Sequence, residues 1–497
     1  MSTRIALALL CALGIWIFQI IFYALAGPLR KVPGPWYARF TNLPLKWATI
    51  KGRRMYFIEA LHKKYGDMVL IAPNQVDCNS PTMFREIHRH GNGFRKAAWY
   101  RKFAGYKDVE ERNSLFIMED PKTHATRRKL MARAFSKSEI RKHWEVEIKQ
   151  KVEFAVRQME KDAKEHPDGE VDVQKWWTLM AADVISRIAF GESFNLLLAG
   201  QKNEYLHAVE RIAKANGISA EVPIFRLLCC VPIPSIQSLF NTMGVVMDFA
   251  TKTVNNSRTQ GTAGVGNIFT SILAEVEKSG STLDDVILVR EARSLIIAGT
   301  DTTAITLTFL VWNVLSRPQL HRDLLEELRR EAGDMGEEDG FALEDEQLEQ
   351  LPLLTAVIQE SMRLYGAAPG SLPRSPPLGG ATVGGVYIPD SAVVSTQAWS
   401  LHRHPAIWEN PEEFDVSRWL SGNMSDEAKA AFHPWGGGGR VCLGMHVAEM
   451  ELRHGAATFF LRYPQARLAP RTTPETMRPE QFFIITPKNR ECGVVLA

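Results

Sequence analysis

The stretch WGGGGRVCLG, at 435–444, narrows most what this chain can become. Four consecutive glycines lead to Arg440 and Cys442, and a helix-like run, MHVAEMELR, follows. Glycine loses more freedom on folding than any other residue. A run of it is kept where backbone approaches something closely or turns unusually. A phosphate-cradling loop needs G-x-G-x-x-G or G-x-x-x-x-G-K-[ST]. From Gly436 the spacing reaches Gly438 and then Val441, and no Lys-Ser or Lys-Thr follows. A nucleophilic cysteine needs a histidine and an orienting partner, which sequence alone does not place. A glycine-rich turn with a buried thiol is the plain reading, because free Cys is commonly buried. A thiolate metal ligand is the third. Cys442 opens the helical run, where the dipole and free N–H groups favour negative charge. The glycines would let backbone lie flat against a large planar ligand, and Arg440 would neutralise an anionic group on it.

The N-terminus sets a second constraint. RIALALLCALGIWIFQIIFYALAGPLRK is apolar from Ile5 to Ala26, broken only by Gln19. At 1.5 Å per residue that run spans a bilayer core of about 30 Å. A signal peptide would have an apolar core of about 7–15 residues, so a retained single-pass anchor is expected. Arg30 and Lys31 follow the run and Arg4 alone precedes it, which places the larger C-terminal part in the cytoplasm. The sequons at Asn255 and Asn423 would then stay unglycosylated. KVPGPW reads as a stiff, non-helical spacer. Elsewhere composition is ordinary for a globular protein, with 45% hydrophobic and 23% charged residues. A net charge of +3 gives no electrostatic case for nucleic acid. The six cysteines form no CxxC pair, so a disulfide framework is not expected and a reducing compartment fits.

DMVLIAPNQVDCN reads as strands around a turn at Pro73-Asn74. KSEIRKHWEVEIKQKVEFAVRQMEKDAKE is a long amphipathic helix. NNSRTQGTAGVG, at 255–266, is a connector. STLDDV has the S-x-x-D form of a helix start at Ser281, and the apolar pattern runs to about Ser316, where RP stops it. Such a helix would be about 50 Å long. GEEDGFALEDEQLEQLP is a solvated acidic segment. Beyond Pro369 loops and short strands are expected until about Asn410. No internal repeat or interdomain linker is evident. The expectation is a mainly α chain with a minor β part, with an anchor at 1–29 and one large domain at 30–497.

WGGGGRVCLG resembles the haem-binding signature F-x-x-G-x-R-x-C-x-G of the cytochrome P450 superfamily. Gly438, Arg440, Cys442 and Gly444 match, and Trp435 replaces the usual Phe. Five further segments, in family order, carry the resemblance over about 30–497. QESMRLYG holds Glu360 and Arg363 at E-x-x-R spacing. NPEEFDVSRWL supplies Arg418, with Val416-Ser417 departing from the family's Pro-Glu. LIIAGTDTTAITLTF matches A-G-x-D-T-T. There Gly299 and the hydroxyl residues are poor helix-interior choices. Either Asp301-Thr302 caps a new helix, or one helix continues with Thr hydroxyls bonding i−4 carbonyls. EDPKTHATRRKLMARAFS places His124 and Arg128 on one helix face, and PGSLPRS supplies Arg374.

The resemblance implies a haem-thiolate monooxygenase of the cytochrome P450 fold. Cys442 would be the axial ligand of haem b iron, with Trp435 beside it. Arg440, His124, Arg128 and Arg374 would hold the haem carboxylates. Asp301 and Thr302 would be the acid–alcohol pair that delivers protons, and Ala298 and Gly299 would line the space above the iron. Glu360, Arg363 and Arg418 would form a buried network that fixes the pocket's shape, since buried ion pairs seldom add net stability. O2 and electrons from NADPH, passed on by a flavoprotein reductase, would be co-substrates. Arg127, Lys129 and Arg133 would dock that reductase. The pocket would be lined by AAWYRKF, EVPIF, Ala298, AAPGSL and FFIITP, which suits a hydrophobic small molecule. The sequence style resembles fungal enzymes of secondary metabolism, acting on a polyketide or terpenoid, as in mycotoxin biosynthesis. A monomer in the endoplasmic reticulum membrane is expected. A desaturase, an isomerase or dehydratase, or a non-catalytic haem binder are the alternatives, and NADPH-dependent turnover separates them.

Overall fold

The computed structural model describes residues 2–104, 109–222, 267–280, 283–333, 343–420 and 424–496, with short pieces between 244 and 255 and at 422. The connector at 255–266 lies almost wholly outside the described residues. So do Ser281, Asn423, residues 223–225 of EVPIF, and part of the acidic segment, at 336–342.

The apolar N-terminal run forms helix α1, Ser2–Ala26. Its span Ile5–Ala26 is almost wholly unburied, with Ala24 the exception, and has a hydropathy of 2.6. Two short helices follow the spacer, α2 (Leu43–Ile50) and α3 (Arg54–Tyr65). Strands β1 (Met68–Ala72) and β2 (Gln75–Cys78) form the hairpin expected around Pro73-Asn74. Next come α4 (Pro81–His88), β3 (Arg95–Lys96) and α5 (Trp99–Ala104). Helix α6 (Pro121–Ala132) starts where Asp120 accepts the Thr123 N–H. The charged amphipathic stretch is helix α7, Lys137–Glu165, with Ile140, Ile148, Val152 and Val156 buried along one face. Helices α8 (Val173–Phe190) and α9 (Glu204–Glu221) follow.

The central helix, α10, spans Asp285–Leu315. It starts four residues later than the S-x-x-D pattern suggested. Asp284, the last member of that pattern, is itself the N-cap and accepts the Ile287 N–H at 2.8 Å. A carboxylate at this position both answers an orphan donor and opposes the helix dipole. The helix is unbroken through 299–303, so Asp301-Thr302 does not cap a new one. The hydroxyls of Thr300, Thr302, Thr306 and Thr308 bond the carbonyls of Ile296, Ala298, Thr302 and Ala304 at 2.7–2.9 Å. It passes the length and apolarity test for a membrane span, yet it is a core helix with 61% of its apolar window buried.

Pro318 starts α11 (Pro318–Ala332), and α12 covers Pro352–Tyr365. Strands β4 (Arg374–Ser375) and β5 (Val393–Thr396) lie in the loop-rich part beyond Pro369. Helix α13 is Met445–Arg462, and a last hairpin pairs β6 (Pro479–Gln481) with β7 (Ile485–Pro487). Helix α10 packs between α8, α12 and α13, and α13 packs on α7. A β-carbon at Gly299 would stand 2.6 Å from Ile185, and one at Gly455 2.9 Å from Leu307, so both glycines admit close helix approach. Among the described residues, β1-β2-β5-β4-β3 form one mixed sheet, with β2 and β5 parallel. The architecture is mainly α with a minor β part.

Candidate active site

Cys442 sits in the loop between α12's half of the molecule and α13. Gly444 is the N-cap of α13, and its N–H reaches the Cys442 sulfur. The Cys442 N–H donates to the Trp435 carbonyl at 2.9 Å, closing the loop across the glycines. Trp435 itself is half-buried against the main core. The Cys442 side chain is exposed in its loop, yet desolvation by the protein packed around it pushes the thiol up, while the Gly444 N–H and the Arg128 guanidinium pull it down.

The glycines turn out to serve the protein's own packing. A β-carbon at Gly437 would meet the Phe84 ring at 2.5 Å and one at Gly439 the His90 ring at 2.8 Å. At Gly438, with φ +61°, it would stand 1.8 Å from the His88 carbonyl oxygen. The loop is thus pressed against the end of α4. The sequence reading gives these glycines to a planar ligand, and their packing against α4 is a further reason for them that the sequence does not show. Gly444 has open space where a β-carbon would project.

The network around Glu360 is explicit. Arg363 donates through Nε and Nη2 to both Glu360 oxygens at 2.8 Å, and neither side chain is exposed. Arg418 approaches Glu360 at 3.4 Å, and Trp419 Nε1 donates to it at 2.9 Å. Arg363 also donates to the carbonyls of His402, Pro411 and Glu413. His402, which the sequence reading missed, joins this network to the cysteine loop. Its Nδ1 faces the Arg363 carbonyl at 3.0 Å, and its Nε2 accepts the His433 N–H at 3.0 Å. Those partners fix one neutral tautomer, protonated at Nδ1. Burial, first of all, holds His402 well below the usual imidazole range.

A cluster of cations lies nearby. Arg440 donates to the Met118 and Glu119 carbonyls at 2.6 and 2.8 Å, and Arg128 to the Val441 carbonyl at 2.7 Å. Arg374 approaches His88 Nδ1 at 3.4 Å, and its Nη1 is buried without a partner. Lys96, also missed by the sequence reading, is buried, bonds the Phe116 carbonyl and lies over the Tyr100 ring at 4.4 Å. Lys96 and Arg374 stand directly opposite each other on β3 and β4. Like charges so placed repel unless an anion lies between them. Burial, then Arg374 and Arg440, depress Lys96. Burial, then Arg440, Lys96, Arg128 and Arg374, push His124 down to about 3. Burial and then Arg374 bring Arg440 to about 10. Among the described residues none of these cations is in an ion pair. A site with this much unanswered positive charge beside a loop cysteine fits a planar dianion such as haem, whose two carboxylates would answer it.

On α10, Thr302 Oγ1 bonds the Ala298 carbonyl, and Ala298 is exposed. Asp301 is buried and faces a cleft lined by Gln174, Lys202, Glu210, Phe482, Ile484 and Arg490. Burial, then Glu210, push its carboxyl up to about 7, and Lys202 and Arg490 act the other way. Of the expected pocket stretches, AAWYRKF and FFIITP meet through Phe103 and Phe483, ring centroids 4.9 Å apart. Ile485 N–H donates to Ala367 of AAPGSL. Glu221 of EVPIF accepts from Arg54 and Trp99 at 2.9 and 2.8 Å. Phe483 holds φ 130°, a strained value for a bulky residue.

Arg127 does not face solvent, which corrects the expectation that it docks a partner. It is buried on Glu291 at 2.9 Å and bonds the Glu111 carbonyl, while Glu291 also accepts the Leu115 N–H. Lys129 and Arg133 are exposed.

A family model described as "Cytochrome P450" matches residues 33–493. The chain is 40% identical to the cytochrome P450 monooxygenase aflV of Aspergillus parasiticus, over 97% of this chain and 95% of that one. It is 38% identical to the cytochrome P450 monooxygenase stcB of Emericella nidulans, over 98% and 92%. A methylphloroacetophenone oxidase of Cladonia uncialis is 33% identical over 80% and 86%. With the cysteine loop, the Glu360 network and the uncompensated cations all in one fold, these likenesses identify the chain as a member of the cytochrome P450 family and a monooxygenase that uses haem iron.

Proposed function

We propose that the chain is a membrane-anchored fungal monooxygenase of secondary metabolism that inserts one oxygen atom from O2 into a hydrophobic small molecule. Residues 1–29 are the anchor and 30–497 the catalytic domain. Electrons come from NADPH through a flavoprotein reductase on the cytoplasmic side of the endoplasmic reticulum membrane. The observation that carries this reading is the set of cations Lys96, Arg374, Arg440 and Arg128, without carboxylate partners among the described residues, around the Cys442 loop. Haem, when bound, supplies oxygen activation with the thiolate donating electron density.

Cys442 would hold the iron, and the Gly444 N–H would steady the thiolate charge. Lys96, Arg128, Arg374 and Arg440 would bind and orient the haem carboxylates, with His124 neutral beside them. Asp301, poised near neutrality by burial, takes protons from the polar cleft and returns them. Thr302 presents its hydroxyl on the adjoining face of α10. Ala298 and the aromatic side chains of Phe103 and Phe483 exclude water and position the substrate. The methylphloroacetophenone oxidase acts on an aromatic ketone by its name, and an aromatic polyketide is the substrate class proposed here.

The test is reconstitution with a reductase, NADPH and a panel of aromatic polyketides and terpenoids, read by product mass. Products one oxygen heavier, formed only with NADPH, support the reading. A mass-neutral conversion without NADPH would replace it with an isomerase. Cys442→Ala should abolish the thiolate-shifted Soret band of the reduced CO complex, and a normal band in that variant sinks the assignment.

A further inference from the structure

Glu221 makes a contact that the haem site does not use. Its Oε1 accepts the Trp99 Nε1–H at 2.8 Å and an Arg54 Nη1–H at 2.9 Å. The three residues come from α9, α5 and α3. Both charged side chains are largely buried, 9% exposed at Glu221 and 14% at Arg54. Neither charge suits its own helix. Glu221 is the last residue of α9 and Arg54 the first of α3, and the helix dipole favours the opposite sign at each place. Helix capping therefore does not account for the pair. What it secures is the indole. A carboxylate accepts a stronger hydrogen bond than a neutral group, and Arg54 holds that carboxylate in place.

Trp99 is one plate of an aromatic cluster. Its ring stacks on Phe103, with centroids 5.2 Å apart and planes at 22°, and lies 6.1 Å from Phe483 at 31°. Phe116 stands edge-on to Phe103 and Phe483, at 6.3 and 5.6 Å. The Lys96 ammonium lies 4.5 Å over the Phe116 ring. The cluster thus begins at the cations of the haem site and ends at Glu221. Trp99, Phe103 and Phe483 are half-buried and Phe116 is 36% exposed, so part of each ring stays open.

A fixed plate discriminates between guests. Offset stacking and edge-to-face contact reward a flat aromatic guest beyond the area it buries, whereas a saturated ring system of similar size gains the burial alone. That reward depends on the plane of the indole. An indole turns about its side-chain torsions, and a hydrogen bond at its far edge stops that rotation before a ligand arrives. Without Glu221 the indole would have to be ordered by the guest, and part of the stacking gain would be lost.

We propose that Glu221, held by Arg54, is the positioning residue for Trp99, and that the indole so fixed selects flat fused aromatic rings over saturated ones. This rests on the aromatic-substrate reading above and names what enforces it. The full-length haem-loaded protein in nanodiscs is titrated with phenanthrene and with its saturated counterpart, perhydrophenanthrene, and the Soret shift gives each Kd. Wild type should bind the flat ligand more tightly. Glu221→Ala should cut that preference by about 3- to 10-fold, and Glu221→Gln, which keeps an acceptor for the indole, by less. In a Trp99→Ala background Glu221→Ala should change the preference no further, because the two act as one unit. A wild-type preference in Glu221→Ala, or a further fall in the Trp99→Ala background, overturns the inference and leaves the aromatic-substrate reading standing. No preference in the wild type overturns both. If Glu221→Ala does not fold, Trp99→Phe, which keeps an aromatic ring and loses the donor, takes its place. It should lose the preference as well, and an unchanged preference there overturns the positioning role.

Discussion

Lys96 and Arg374 show how much a single residue decides at this site. Both are buried, they face each other across two short strands, and among the described residues neither has a carboxylate to answer it. A charge-assisted hydrogen bond to a haem carboxylate contributes about 1.5–3 kcal/mol. Lys96→Met should therefore weaken haem retention by about 10- to 100-fold. Haem transfer to an apoprotein scavenger measures it, and an unchanged transfer rate would remove Lys96 from the clamp. Lys96 was not legible in the sequence, because FRKAAWY looks like any solvated basic turn. Its meaning comes from the pairing with a strand nearly three hundred residues away. Asp301, by contrast, was legible from AGTDTT. With its carboxyl near 7, it loses the proton it can give as pH rises through that value. The fraction of NADPH consumption that ends in product should fall above about pH 7 in the wild type. In Asp301→Asn it should be low and flat over pH 6–8. A wild-type inflection that persists in the Asn variant would assign it to another group.

At the scale of elements, the long helices were readable because their apolar periodicity is unbroken, as α7 and α10 show. Their mutual contacts were not, since nothing local announces that Gly299 meets Ile185 or that Gly438 meets the end of α4. Gly438→Ala adds a β-carbon onto the His88 carbonyl oxygen at φ +61°, whereas Gly444→Ala meets open space. Gly438→Ala should lose at least about 1–3 kcal/mol of stability, and Gly444→Ala much less, by thermal unfolding. The junction of α10 and α13 holds a further buried acid. Glu451 is hydrogen-bonded to Thr303, and burial pushes its carboxyl up to about 8. Below pH 4.5 it is neutral in folded and unfolded chain alike. Between about 4.5 and 8 the unfolded chain ionises while the folded one keeps its proton, so stability falls as pH rises, by at most about 1.4 kcal/mol per unit. Glu451→Gln removes that slope. Its Tm relative to wild type should rise steadily from pH 5 to pH 8, and a constant difference would show that the folded carboxyl titrates normally.

Across the whole molecule, the site is joined to the surface through α6. One face of that helix carries Arg128 to the Val441 carbonyl, one residue from the cysteine, and its outer side and end expose Lys129 and Arg133. Arg127, whose neighbours in sequence are surface-like, is tied instead to Glu291 on α10. Sequence spacing grouped Arg127 with Lys129 and Arg133, and only the long-range partner separates them. An acidic reductase meeting this face would feel Lys129 and Arg133 through solvent, so the attraction weakens with salt. The double variant Lys129→Glu, Arg133→Glu should slow reduction by the reductase by about tenfold at low ionic strength, with the gap closing as salt is added. Its CO band should be unchanged, because neither side chain touches the loop. Arg127→Ala should behave differently. It strands Glu291 inside the protein and should cost about 3–5 kcal/mol of stability, as expected when one partner of a buried pair is removed. Stopped-flow reduction and thermal unfolding of both variants together separate a docking charge from a structural one. Reduction as fast as wild type in the double variant would move the reductase to another face.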